Sequence, residues 1–262
     1  MSTTESREEG TAMRKRTASP VPGMFNPVVF RITLRATLGR KRAFVFILTP
    51  VLLLAITALL RAVATSPAWP AEFLGDFGLS VVLPLTALII GTSALGAEID
   101  DGAVIHLLAT PVSRLSVVTS KFAAAVVLTL AFGALPEFLA GAIAKGFTDR
   151  LTIGLLVGAI VASVAYNAVF VLLSVLTTRA IAVGLLYLLV WEGLLGNFVG
   201  GVRVLSVGQY SVSAANAIAK TSALNAHLTT GTATVMAVIV TIASLAVAGR
   251  RLSSFSLKGD AV

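Results

Sequence analysis

Few side chains in this sequence could do chemistry, and most of them fall in one place. From Ala97 to Lys121 the chain reads AEIDDGAVIHLLATPVSRLSVVTSK, a stretch with Glu98, Asp100, Asp101, His106, Arg114 and Lys121 between two long apolar runs. Charges at that density are expected in water or against a protein surface. Two further carboxyls, Glu137 and Glu192, lie inside apolar runs, where an ionisable group is expensive and calls for an explanation. The signatures of soluble catalysis are missing. There is no G-x-x-x-x-G-K-[ST] phosphate loop, no H-E-x-x-H and no G-x-S-x-G. With no cysteine, and with His106 and His227 far apart, no metal site is expected. The expectation is a chain that is not an enzyme by itself and holds no cofactor.

The elements that position these groups can be read from composition. Of 262 residues, 56% are hydrophobic and only 12% charged, with mean hydropathy +0.94. Soluble domains carry about a quarter charged residues, so the solvent of this chain is lipid. Six apolar runs approach the roughly 20 residues needed to cross about 30 Å of hydrocarbon. They are Ala43–Ala64, Phe77–Ala97, Leu115–Ala144, Leu151–Leu176, Ala180–Gly196 and Thr230–Ala248. The fifth is short, the third is broken by Pro136, and Pro84 predicts a kink in the second. The fold class is therefore all-α, a polytopic membrane protein with six transmembrane helices over residues 43–249.

Residues 1–24 are polar and Pro-containing and lack the apolar core of a signal peptide, so a disordered cytoplasmic tail is expected. Residues 25–42 predict a helix, with Asn26 as N-cap and Pro27 in its first turn. At 100° per residue, Arg31, Arg35 and Arg42 share a stripe opposite Val29, Phe30, Thr33 and Ala36, which suits an amphipathic helix in the headgroup layer. An ordinary basic extension of the first span is the plainer alternative.

Net charge is +8, and its distribution explains it without nucleic acid. With the N-terminus inside, fifteen of the twenty Lys and Arg residues face the cytoplasm and five (Arg61, Lys145, Arg150, Arg203 and Lys220) face out. Both termini, including the tail 250–262, and the Ala97–Lys121 stretch are then cytoplasmic, in the cell's inner (plasma) membrane. On the helical rise, Glu137 sits about 24 Å and Glu192 about 20 Å from the cytoplasmic face. Both carboxyls, with Trp191 beside the second, are candidates for a pathway or gate; structural carboxyls bonded to a neighbouring helix are the alternative. Tyr166 and Asn167 could line a pathway or join helices, and Gly154-x-x-x-Gly158 and Gly196-x-x-x-Gly200 allow close helix approach, including dimerisation. The long segment 197–229 reads as short helices that dip into the outer leaflet, with a solvated loop as the alternative.

Within the polar stretch, Asp100 or Asp101 can cap a short helix from Gly102 to Ala109, which Thr110-Pro111 ends. Its Val104, Ile105, Leu107 and Leu108 need a groove, supplied either by a partner protein or by this chain's own helix ends.

Two runs resemble a known family. Glu98, then Gly102-Ala103-Val104, then Leu107-Leu108-Ala109-Thr110-Pro111-Val112-Ser113-Arg114, then Lys121 is similar to the cytoplasmic loop of type-2 ATP-binding cassette (ABC) transporter permeases. Tyr187-Leu-Leu-Val-Trp191-Glu192-Gly193, succeeded by Val204–Tyr210, resembles a pattern of their C-terminal half. The resemblance implies two six-span permeases, identical copies or paralogues, served by two separate ATPase subunits that bind Mg-ATP. It makes 97–114 the coupling loop, with Glu98, Asp100, Asp101, Gly102, His106, Leu107, Leu108, Pro111 and Arg114 as ATPase-coupling candidates, and it makes the helices of 197–229, after the fifth span, the external gate. The function it implies is export of a small or amphipathic substrate. Two rivals remain from other classes: a proton-driven carrier using Glu137 or Glu192, and a membrane scaffold that recruits a cytoplasmic protein without moving cargo.

Overall fold

The structure, a computed structural model, describes residues 25–100, 114–195 and 201–255, and every regular element among them is helical. Helix α1 (Pro27–Thr37) starts where its cap predicts: Asn26 Oδ1 accepts from the backbone N–H groups of Val28 at 2.9 Å and Val29 at 3.4 Å. The Asn26 N–H donates to Ser120 Oγ at 2.7 Å, which ties the helix to α5 (Arg114–Thr129). Thr33 and Thr37 are buried, while Arg31 and Arg35 are exposed beside equally exposed Val28 and Ile32. Ala36, expected on the covered face, is exposed. The backbone of Arg42 belongs to α2 (Arg40–Val63), and its side chain lies outside the described residues.

Helix α2 meets the bundle through one stripe, on which Phe46, Leu53 and Thr57 are buried, and leaves Ile47, Val51, Leu59 and Val63 bare. Such a face suits lipid, which is as apolar as the side chains it replaces. The second span is built from α3 (Trp69–Phe73), a π-helix over Leu74–Val82, and α4 (Leu83–Asp100). The third joins α5 through a π-helix over Leu130–Ala134 to α6 (Leu135–Lys145). Both π-helices end just before a proline, Pro84 or Pro136. Proline cannot supply the bond to residue i−4 and crowds that carbonyl, so a widened turn beside it absorbs the misfit.

Five helical stretches are long and apolar enough to cross a membrane: Phe46–Val63, Trp69–Ala94, Leu115–Lys145, Arg150–Leu176 and Thr230–Leu252. The expected fifth span, Ala180–Gly196, is represented by a shorter apolar helix, Ala180–Leu194; it comprises α8 (Ala180–Leu186) and most of a third π-helix, Tyr187–Leu195. A 3-10 turn, Val202–Leu205, and helix α9 (Val207–Ala219) come next in the chain.

The centre of the molecule is α7 (Arg150–Leu176), buried along its length. Its small residues face α9. A Cβ built on Gly158 would lie 2.6 Å from the Ser211 carbonyl and 2.9 Å from Ala215 Cβ, and one on Gly154 would meet the Ala215 carbonyl. Ser211 Oγ donates to Gly158 O at 3.0 Å. The Gly154-x-x-x-Gly158 motif is thus consumed inside the chain and is not open for dimerisation; Gly196 and Gly200 lie outside the described residues. Asn167 takes the interhelical role, donating to Thr129 Oγ1 at 2.8 Å and to Ser163 O at 2.7 Å.

Lys121 departs from the expectation of a wet loop. It is 1% exposed, and its Nζ donates to Ala94 O on α4 at 2.9 Å. Its long stem fills the space between α4 and α5 while the ammonium bonds to backbone. Lys121→Ala removes both and should lower stability by about 2–4 kcal/mol. Thermal unfolding in micelles would measure this against Lys145→Ala, whose exposed side chain makes it a near-neutral control.

Candidate functional site

Helix α10 (Thr230–Phe255) closes the bundle beside α7 and α9. The direction of α9 is set by its contacts with α7. Gly208 lies against the Tyr166 hydroxyl, Ser211 against Gly158, and Ala219 against Gly154. Helix α9 therefore starts halfway along α7 and runs to the end where α7 begins. The chain runs beside α7 through α8 and the Tyr187–Leu195 π-helix to the level of Tyr166, and α9 then continues along the remaining length of α7.

Glu192 holds that junction together. One carboxylate oxygen accepts from Tyr187 Oη at 2.8 Å and the Val207 N–H at 2.9 Å. The other accepts from Ser206 Oγ and the Gly208 N–H, the latter at 3.3 Å. Val207 and Gly208 open α9, so the carboxylate satisfies N–H groups that a helix start leaves orphaned, and its charge faces the positive end of the helix dipole. Ser206 is the N-cap residue, accepting from the Gln209 N–H at 3.2 Å. Trp191 Nε1 donates to Leu205 O at 3.4 Å, which fixes the 3-10 turn. Both side chains thus act on the joint between the Tyr187–Leu195 π-helix and α9.

Glu192 also lines a cavity of about 590 Å³. The Leu74–Val82 π-helix forms another wall, with Gly75, Asp76, Ser80 and Val81. Glu137 lies apart from this space. It is 1% exposed at the start of α6 and packs its carboxyl on Gly78, where any Cβ would overlap it. Neither of its oxygens has a hydrogen-bond partner among the described residues. The same π-helix therefore separates the two carboxyls.

The coupling candidates stand differently. Helix α4 continues to Asp100, so the backbone of Glu98 and Asp100 is helical, and α5 begins at Arg114. Asp101, Gly102, His106, Leu107, Leu108 and Pro111, and the side chains of Glu98, Asp100 and Arg114, lie outside the described residues. The helices that flank them, α4 and α5, are bonded through Lys121 at the end of the bundle that also carries α1.

Sequence reasoning left Ser206, Tyr187 and Asp76 without roles. A serine ahead of Val207 is a legible cap; Tyr187 stands five residues before its partner Glu192, yet sequence alone does not show that the two side chains meet, and Asp76 has no hydrogen-bond partner among the described residues to mark it.

The profile of the family described as ABC-2 family transporter protein matches residues 38–189, more than half of the 262-residue chain. The chain belongs to the ABC-2 transporter family. No curated protein matches it. Membrane subunits of the ABC-2 family work with ABC ATPase partners in general and are generally not catalytic themselves. With five membrane-length helices, this ABC-2 chain is a multi-pass permease subunit of an ABC transporter. The match takes in the 101–113 stretch and ends just before Glu192, so the joint with α9 lies outside it.

Proposed function

We propose that this chain is the permease of an ABC exporter in the inner (plasma) membrane, with both termini cytoplasmic, and that it moves a small or amphipathic substrate outward. The observation that carries the reading is the family match over residues 38–189. Two such permeases, identical or paralogous, form the membrane unit, and two ATPase subunits bind and hydrolyse Mg-ATP. The coupling loop, residues 97–114, docks into the ATPase with Leu107 and Leu108 as apolar anchors. The neighbouring α1 lies in the headgroup layer, a placement that suits its exposed Arg31 and Arg35 beside exposed Val28 and Ile32. Closure of the ATPase pair pulls on α4 and α5, and the broken passage at Glu192 is the element that opens outward. Discontinuous helices with ends at membrane depth serve this purpose in other transporters. A Glu192 proton carrier is disfavoured, because four donors already hold that carboxylate in a structural joint.

The docking assignment is tested by Leu107→Asp with Leu108→Asp. Co-purification of the ATPase that accompanies the wild-type chain should be abolished while membrane insertion persists. A retained complex with undiminished ATP turnover would overturn it.

A further inference from the structure

The cavity beside Glu192 is graded along its depth. Contacts between Gly184 and Leu88, and between Gly75 and Leu224, register the Leu74–Val82 wall and α4 against α8 and the segment after α9. At the level of Leu85, Leu185 and Leu188 the lining is apolar; toward the start of the second span it carries Ser80, Glu192, Asp76, Gln209 and His227. From Leu185 to Glu192 this spans about 10 Å on the helical rise. Val81, Leu185 and Leu189 line the cavity and are themselves exposed, so the cavity is open along this side rather than sealed.

Three observations define the chemistry of the polar end. No lysine or arginine is among the described residues that line it. The Glu192 oxygens are taken up by four donors, whereas Asp76, exposed at the cavity wall, has no hydrogen bond or ion pair among the described residues, and Glu72 lies one turn before it in the same span. Tyr166, 1% exposed, reaches the cavity with a hydroxyl that has no hydrogen-bond partner among the described residues. A polar group that opens into a cavity from an otherwise buried side chain is a position where a ligand can bond.

We infer that this cavity binds a cationic amphiphile, a quaternary or primary ammonium head on an alkyl tail. The head sits at Asp76, on the side of the cavity that Tyr166 also lines, and the tail lies along Leu85, Leu185 and Leu188. Its role as a cargo site rests on the exporter reading; the binding itself does not.

The test uses the full chain in phosphatidylglycerol nanodiscs without any ATPase, so its outcome is separate from that of the docking experiment. Trp69→Phe leaves Trp191 as the one tryptophan, next to Glu192 in the chain. An alkyltrimethylammonium with a nitroxide on its tail should quench Trp191 saturably. The alkyl sulfate and the alcohol of equal length should not. Asp76→Asn should weaken binding at least tenfold. If that variant does not insert, Leu85→Phe, which fills the apolar end, should shift the preferred tail to shorter chains. Displacement of the probe by phosphatidylcholine or phosphatidylethanolamine assigns the site to a lipid head, and failure to displace assigns it to a free amphiphile. Equal binding of the sulfate or alcohol, or no effect of either substitution, overturns the inference.

Discussion

Replacing Glu192 with alanine should free the start of α9 and abolish transport. The change leaves the N–H groups of Val207 and Gly208 and the hydroxyls of Ser206 and Tyr187 without their acceptor. Each buried group left unpaired costs about 1–3 kcal/mol, and the helix dipole loses its counter-charge. Allowing for partial relaxation, the joint should weaken by about 3–5 kcal/mol. Glutamine is an instructive intermediate. Each carboxylate oxygen now serves one backbone N–H, so whichever way the amide is turned, its NH₂ faces a donor. Glu192→Gln should therefore cost about 1–3 kcal/mol. Hydrogen exchange of the amides from Val207 to Ala215 provides the measurement. Protection should fall most for alanine and less for glutamine, while α4 and α5 keep theirs. Unchanged exchange in both variants would mean that Glu192 does not hold α9. Substrate-stimulated ATP turnover of the assembled transporter, read alongside, should fall in the same order.

The second large effect is steric. Gly158→Ala places a methyl 2.6 Å from a backbone carbonyl, that of Ser211, and 2.9 Å from Ala215 Cβ. A carbonyl inside a helix cannot step aside alone, so α9 must move as a body. The expected cost is about 1–3 kcal/mol for alanine, and Gly158→Leu should prevent α9 from seating at all. Gly231→Ala is the control, because nothing lies within 4 Å of a Cβ built there. It should be neutral or slightly stabilising, since alanine is the better helix former. Thermal unfolding in micelles reads stability. Protease sensitivity of the Val207–Ala219 segment shows whether α9 is seated. A Gly158→Leu protein as stable and resistant as wild type would show that the close approach is not needed.

The two effects are coupled by geometry. Glu192 fixes where α9 begins, and the Gly154 and Gly158 surface fixes what it lies against. Substitutions at these two places act on one element, so their costs should be less than additive.

Much of the molecule was legible in the chain. Length and hydropathy of the runs located the long helices, because burial in hydrocarbon demands about 20 apolar residues and leaves few alternatives. Asn26-Pro27 marked the start of α1, since capping is a local bond between side chain and adjacent backbone. The high cost of a carboxyl in an apolar run singled out Glu137 and Glu192 before any packing was known. The family motifs pointed to the same ABC-2 membership that the profile match shows over residues 38–189.

Tertiary structure decided the rest. In the sequence Glu137 and Glu192 are a like pair, yet one packs without a partner among the described residues on Gly78 and the other receives four bonds and lines a cavity. Gly154 and Gly158 read as available for any neighbour, and the fold spends them on α9. Lys121 reads as part of a wet stretch, and the fold buries it against α4. Composition and capping are set by residues within a turn or two, so they survive in one dimension. Whether a carboxyl, a glycine or a lysine meets a helix start, a carbonyl or lipid depends on segments tens of residues away. Only the packing of α7 against α9, and of the Leu74–Val82 π-helix between two carboxyls, brings those segments to them.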